Sequence, residues 1–202
     1  MIIGIDFDNT IIRYDNLFFD LALEKKLIPK SLSKEKNEVR NYMRKQGIED
    51  EWTIIQGEVY GSKIDRAKPF FGFFEAIKLL NQQTIPFYII SHKTKYPYMG
   101  DKIDLHESAL HWMSINKFFD QDGLKMKHNQ IFFEPTKEKK IERAIERGCT
   151  HFIDDLHEIL NLMPSYINKI IFLPQNEKSY NGNNFQKLNS WDSLPSLLNL
   201  AH

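Results

Sequence analysis

Cysteine is nearly absent: the 202 residues contain one, Cys149. A single thiol excludes an intramolecular disulfide and a cysteine-rich zinc centre, and such scarcity points to a reducing compartment. An excess of charge of either sign is also lacking, since Lys and Arg number 27 and Asp and Glu number 27. That balance removes the electrostatic case for nucleic acid or an anionic membrane surface as a partner. Long apolar runs are missing, and none approaches the roughly 20 residues that span a bilayer. Strand-like sequence already starts at Ile2, which leaves no room ahead of it for a signal peptide. Internal repeats, low-complexity tracts and long linkers are missing too. These absences together lead us to expect a water-soluble, cytoplasmic protein with one well-buried core and a smaller lobe.

What is present is concentrated at the start. Residues 1–12 read MIIGIDFDNTII: an apolar run, aspartates on both sides of Phe7, then Asn9 and Thr10. A short apolar run of this kind suits a strand buried on both faces of a parallel sheet. Asp6 and Asp8 then fall at its carboxyl end, where open α/β sheets place their ligands. Side chains alternate along a strand, so the carboxylates project the same way if the strand continues. Paired carboxylates repel each other and invite a cation such as Mg²⁺, which prefers oxygen ligands. Taken alone, DFDNT also reads as an ordinary strand-to-turn exit, because Asp, Asn and Thr favour turns and caps.

From Asp15 to about Lys68 the apolar spacing is helical, carried by Leu17, Phe18, Leu21 and Ala22, then Val39, Tyr42 and Met43, then Trp52, Ile54, Ile55 and Val59. Pro29, Gly47 and Gly61 separate these helices. With no strand signal inside it, the stretch reads as a small helical lobe, residues 13–68, inserted after the first strand. The main domain is then 1–12 with 69–202. It resumes with a helix over Gly72 to Leu80 and a strand over Pro86 to Ile90 that ends at Ser91. The loop beyond it carries Lys93, Lys95 and Lys102 among Tyr96 and Tyr98, and reads as a solvated loop or, in a sharper reading, as a wall that meets an anionic substrate. Asp104 and Glu107 have the capping spacing for the next helix. HESALH, residues 106–111, carries one residue too many for HExxH, which rotates His111 off the face of His106, so both read as non-ligands. Short strands follow at Ile131 to Phe133, His151 to Ile153 and Lys169 to Leu173. Between the first two lies a helix from Thr136 to Gly148, with Ile141, Ala144 and Ile145 as its apolar positions, and SWDSLPSLL reads as a terminal helix. Strands alternating with helices predict an α/β fold whose parallel sheet, of about five strands, is covered on both faces.

Polar signals now fall at strand or helix ends in a fixed order: Asp6 with Asp8, Ser91, Lys137, and Asp154 with Asp155. In that order they resemble the motifs of the haloacid dehalogenase-like (HAD) superfamily of phosphohydrolases. DFDNT matches its DxDxT, IISHK its Ser or Thr motif, Lys137 after Thr136 its helix-start lysine, and FIDD its acidic doublet. PFFGFFEAIKLL also looks like the usual lead-in to the second strand. The resemblance spans roughly residues 1 to 175, with 11 to 68 matching a helical cap in general character only. It implies a HAD-like, Rossmann-type sheet domain carrying a helical cap, in which the sheet domain does the chemistry and the cap selects the substrate.

Phosphate monoesters are dianionic, so a carboxylate nucleophile must be shielded from repulsion by a metal and by cationic or hydrogen-bonding groups. Asp6 is the candidate nucleophile, forming an aspartyl phosphate. Asp8 is the candidate acid that protonates the leaving oxygen and later takes a proton from water. Ser91 and a lysine hold the phosphoryl oxygens. Lys137 is the first choice and Lys140 the second, since both lie with Lys139 in one helical turn. Thr10 and His92 join Ser91, Lys137 and Lys140 in the expected substrate-binding set. The resemblance further implies a Mg²⁺ site made by the Asp6 carboxylate, the Asp8 backbone carbonyl and Asp154, with Asp155 in direct or water-mediated support. It also favours a phosphatase, because dehalogenases of this fold lack an acid at the Asp8 position and P-type ATPases carry Thr there. The expected partner is a small phosphorylated metabolite, a sugar phosphate or a nucleoside monophosphate. A phosphatase of nucleic-acid ends, using the Lys and Tyr loop at 92–102, and a non-catalytic HAD domain that binds a phosphorylated ligand or a protein are the alternatives.

Overall fold

The computed structural model describes residues 1–174 and 184–200. The far limit of the family resemblance, near 175, and the end of the main domain at 201–202 fall outside them. In chain order the elements are β1 (Ile3–Ile5), β2 (Ile12–Arg13), α1 (Asp15–Glu24), α2 (Lys36–Lys45), α3 (Glu49–Tyr60), β3 (Lys68–Pro69), α4 (Phe73–Gln82) and β4 (Phe87–His92). They continue with α5 (Leu105–Ile115), β5 (Ile131–Glu134), α6 (Lys137–Glu146), β6 (His151–Asp154), α7 (His157–Leu162), β7 (Asn168–Phe172), β8 (Gln186–Leu188) and α8 (Leu194–Leu197). Local chemistry sets several of these starts. Asp104 accepts from the backbone N–H groups of His106 and Glu107 at the head of α5, and Thr136 accepts from that of Lys139 at the head of α6.

The chain divides into two compact units: Met1–Ile12, Pro69–Lys93 and Lys117–His202 form one, and Arg13–Lys68 with Thr94–Asn116 form the other. Residues 94–116, read from the sequence as part of the sheet domain, thus belong with the helical lobe. The lobe has its own core, in which Phe18 stacks on Trp52 at 4.8 Å and Tyr14 meets Tyr60 edge-on at 4.9 Å. Within it the α5 side chain Trp112 donates its indole N–H to the Ala67 carbonyl at 3.0 Å. That bond satisfies the polar atom of a fully buried ring and ties the later segment to the earlier one.

The first unit is built on a six-stranded parallel sheet in the order β5-β4-β1-β6-β7-β8. It has one strand more than the sequence suggested. Of the three residues in β8 only Leu188 is buried, so this strand lacks the apolar pattern that marks the others. The terminal helix is shorter than expected, because Trp191–Ser193 form a 3₁₀ turn before α8. β1 lies between β4 and β6, and the order of strands reverses on either side of it. That reversal is the topological switch point at which doubly wound sheets open a crevice beyond their carboxyl ends.

Close packing fixes β1. A Cβ on Gly4 would stand 2.4 Å from the Phe152 ring on the neighbouring strand, closer than real contacts allow. One face of the sheet buries Phe152, Ile159, Leu160, Ile171 and Cys149 in a continuous cluster. Burial pushes the Cys149 thiol up to about 11, as befits a packing residue rather than a reactive one.

Elsewhere in the unit, Trp191 packs edge-on against Phe73 at 5.0 Å and donates its indole N–H to the Thr10 carbonyl at 3.0 Å. Trp191→Phe keeps most of the apolar bulk and leaves that buried carbonyl without its indole donor. Stability is expected to fall by about 1–3 kcal/mol. Urea denaturation checks this, and an unchanged midpoint would show that the bond contributes nothing.

Candidate active site

β1 ends at Ile5, just before both aspartates. Their placement therefore depends on a turn rather than on the alternation of a continuing strand. The N–H groups of Ile11 and Ile12 both bond the Phe7 carbonyl, at 3.0 and 3.2 Å, and Asn9 sits in the left-handed region with φ 58°. Asn tolerates that conformation better than most side chains. The turn leaves Asp6 buried beside the sheet and Asp8 at its edge, with 20% of the Asp8 side chain exposed.

Hydrogen bonds converge on Asp6. Ser91, at the carboxyl end of β4, donates its hydroxyl to Asp6 Oδ1 at 3.0 Å, and Thr10 reaches Oδ2 at 3.4 Å. Lys140 Nζ lies 2.6 Å from Asp6 Oδ1 and 2.6 Å from Asp154 Oδ2. This lysine is 1% exposed. Burial pushes its ammonium toward the neutral form, but the charges of Asp154 and Asp6 outweigh that and hold it above the ordinary lysine range.

The helix therefore presents its third turn-forming lysine, not its first. Lys137 is half-buried at the start of α6 and pairs with Glu158 at 2.7 Å, while Lys139 pairs with Glu142. The reason is helical phase. Lys140 and Ala144 are four residues apart and share the buried face of α6, so only Lys140 points under the crevice. Lys140 thus replaces Lys137 as the phosphoryl-binding candidate. His92 also falls away from the set: its side chain is exposed and its Nε2 lies 3.2 Å from the Pro135 carbonyl. Thr10 is buried and bonds Asp6, which makes it a support for that carboxylate.

Lys93 is a residue that sequence reasoning placed in a loop, solvated or facing an anionic substrate, without a role at the aspartates. It is 4% exposed and grips Asp8, with Nζ 3.1 Å from Oδ1 and 2.8 Å from Oδ2. A usable signal existed in the period of the strand. Ser91 and Lys93 are two apart and fall on one face, whereas His92 points to the other.

Asp6, Asp154 and Asp155 each offer a carboxylate oxygen, and these oxygens lie within 4.8 Å of one another. The side chain of Asp8 is not part of this group. Asp154 is fully buried; burial pushes its carboxyl up, to about 7, with Lys140 pulling down and the Asp6 charge pushing up again. An all-oxygen set with more carboxylates than ammonium groups fits a hard divalent cation such as Mg²⁺, whose bonds to oxygen are about 2.1 Å. Every residue of this site lies in the first unit.

No protein-family model matches the chain, and no curated protein matches it in sequence. Solved structures do match. A HAD family hydrolase from Deinococcus radiodurans R1, with bound phosphate and sodium, aligns with TM-score 0.60 at 13% identity, over 97% of this chain and 93% of that one. A HAD-superfamily hydrolase from Ehrlichia chaffeensis aligns with TM-score 0.54 at 15% identity, over 97% and 94% of the two chains. A HAD phosphatase from Thermococcus onnurineus aligns with TM-score 0.50 at 12% identity, over 97% and 96%. Identities this low speak for the fold alone. The chain has the α/β fold of the HAD-superfamily hydrolases.

Proposed function

We propose that the protein is a Mg²⁺-dependent phosphatase that hydrolyses a small phosphate monoester through a phosphorylated Asp6. The observation that carries this reading is the clasp on Asp6: one carboxylate, at the switch point of the sheet, held by Ser91 and by a buried Lys140 that also reaches Asp154. The presence of bound phosphate in the Deinococcus radiodurans hydrolase of the same fold supports a phosphoryl ligand. Asp6, Asp154 and Asp155 would hold the magnesium ion, which supplies positive charge against the phosphoryl oxygens.

In this scheme Asp6 attacks phosphorus and the bond to the leaving oxygen breaks, so that the phosphoryl group passes to the carboxylate. Asp8 gives its proton to the departing oxygen, then takes one from the water that cleaves the acyl phosphate and returns Asp6. Lys140 and Ser91 are placed to donate to the phosphoryl oxygens, where charge accumulates in the transition state. Hydrolysis of p-nitrophenyl phosphate with Mg²⁺, followed by a panel of phosphorylated metabolites, tests the reading. Binding of phosphate esters without turnover would instead make the protein a binding domain.

The metal assignment has its own test. Asp154→Ala combined with Asp155→Ala should raise the Mg²⁺ concentration for half-maximal activity by more than about 100-fold, since even indirect metal partners are worth 10–100-fold. A magnesium titration that overlays the wild type would place the ion elsewhere.

A further inference from the structure

We propose that Lys93 is the positioning residue for Asp8, holding its carboxylate in the one orientation that protonates a poor leaving group. This inference rests on the phosphatase reading and adds to it a residue to which the sequence motifs gave no role. Lys93 follows β4 directly, and its backbone N–H bonds the carbonyl of Glu134, the last residue of β5, at 3.0 Å. Its root is therefore tied to the sheet rather than to a free loop. The side chain is 3% exposed, runs over the Phe7 ring with Nζ 5.7 Å from the centroid, and ends on both oxygens of Asp8.

Burying an ammonium and freezing a four-carbon stem are both costly, so packing alone does not account for Lys93. Its contact with both Asp8 oxygens fixes the plane of the carboxylate as well as its position. Asp8 keeps one-fifth of its side-chain surface open while Lys93 is enclosed, so Asp8 faces incoming substrate and Lys93 stands behind it. Lys93 thus acts through Asp8, whereas Lys140 acts on the nucleophile Asp6. Each aspartate of DFDNT has its own buried lysine.

The test uses the dependence on leaving group. An alkyl phosphate needs a proton as its C–O⁻ departs, while p-nitrophenolate leaves without one. kcat/KM reads the first phosphoryl transfer and is the quantity to compare. In Lys93→Met it should fall by about 100-fold or more on an alkyl phosphate, the scale of general acid catalysis. That fall should exceed the fall on p-nitrophenyl phosphate by at least about tenfold. Asp8→Asn should show the same bias, and the double variant should lose little beyond Asp8→Asn alone, as expected of residues acting as one unit. Circular dichroism checks folding, and Lys93→Gln, also uncharged, replaces Lys93→Met if the latter does not fold, with the same outcomes. Equal losses on both substrates, or losses that multiply in the double variant, would overturn the role of Lys93 and leave the phosphatase reading intact. A wild-type protein inactive on both substrates with Mg²⁺ would overturn the phosphatase reading and this role together.

Discussion

Asp6→Asn should abolish turnover, lowering kcat by about 10³-fold or more, the scale seen when a catalytic nucleophile is removed. The amide is nearly isosteric with the carboxylate and still accepts from Ser91 and Lys140 through its oxygen, so the fold should survive. A neutral amide is a far weaker nucleophile than a carboxylate, and no other carboxylate is held in the same clasp among the described residues. The measurement is single-turnover hydrolysis of an aryl phosphate by protein purified free of wild type. Substantial retained activity would show that Asp6 does not carry the phosphoryl group.

Lys140→Met should cost both stability and activity. The lysine is the hub between buried carboxylates at the ends of adjacent strands, and its removal leaves Asp6 and Asp154 facing each other with no ammonium between them. Breaking a buried ion pair from one side typically costs about 3–5 kcal/mol. Lys137→Ala removes only an exposed pair with Glu158, worth less than about 1 kcal/mol, and should reduce turnover far less. Urea denaturation and steady-state rates on the two variants decide between them. Should Lys137→Ala prove the inactive one while Lys140→Met keeps turnover, the helix would have to present its first lysine to the substrate.

The contrast between these lysines shows where sequence was legible. DFDNT and FIDD could be read because each closes a short apolar strand with acids, an abrupt change of polarity that survives without any tertiary information. The sheet followed from the same signal, strand after helix, except at β8, whose one buried residue carries no pattern. Lys137, Lys139 and Lys140 differ only in rotation about the helix axis. Choosing between them required knowing which face of α6 is covered, and of the apolar positions used to phase it Ile145 is 43% exposed. Lys93 was hidden by the polar and aromatic residues after it, although its spacing from Ser91 held the clue. The grouping of 94–116 with the helical lobe depends on partners about 45 residues earlier, such as Ala67 for Trp112, which local spacing does not encode.

The bond from Trp191 to the Thr10 carbonyl joins positions 181 residues apart, and Lys140 meets Asp6 across 134. Contacts of such long range form late, because the loop between them must close before they contribute. During synthesis β1 and the turn after it emerge well before Lys140 and Trp191, so the turn waits for these residues before it is braced and the Asp6 charge is met. The clasp on Asp6 is thus completed only after Lys140 has been made. A chain that stops short of Lys140 holds Asp6 beside Ser91 but without the buried ammonium that meets its charge.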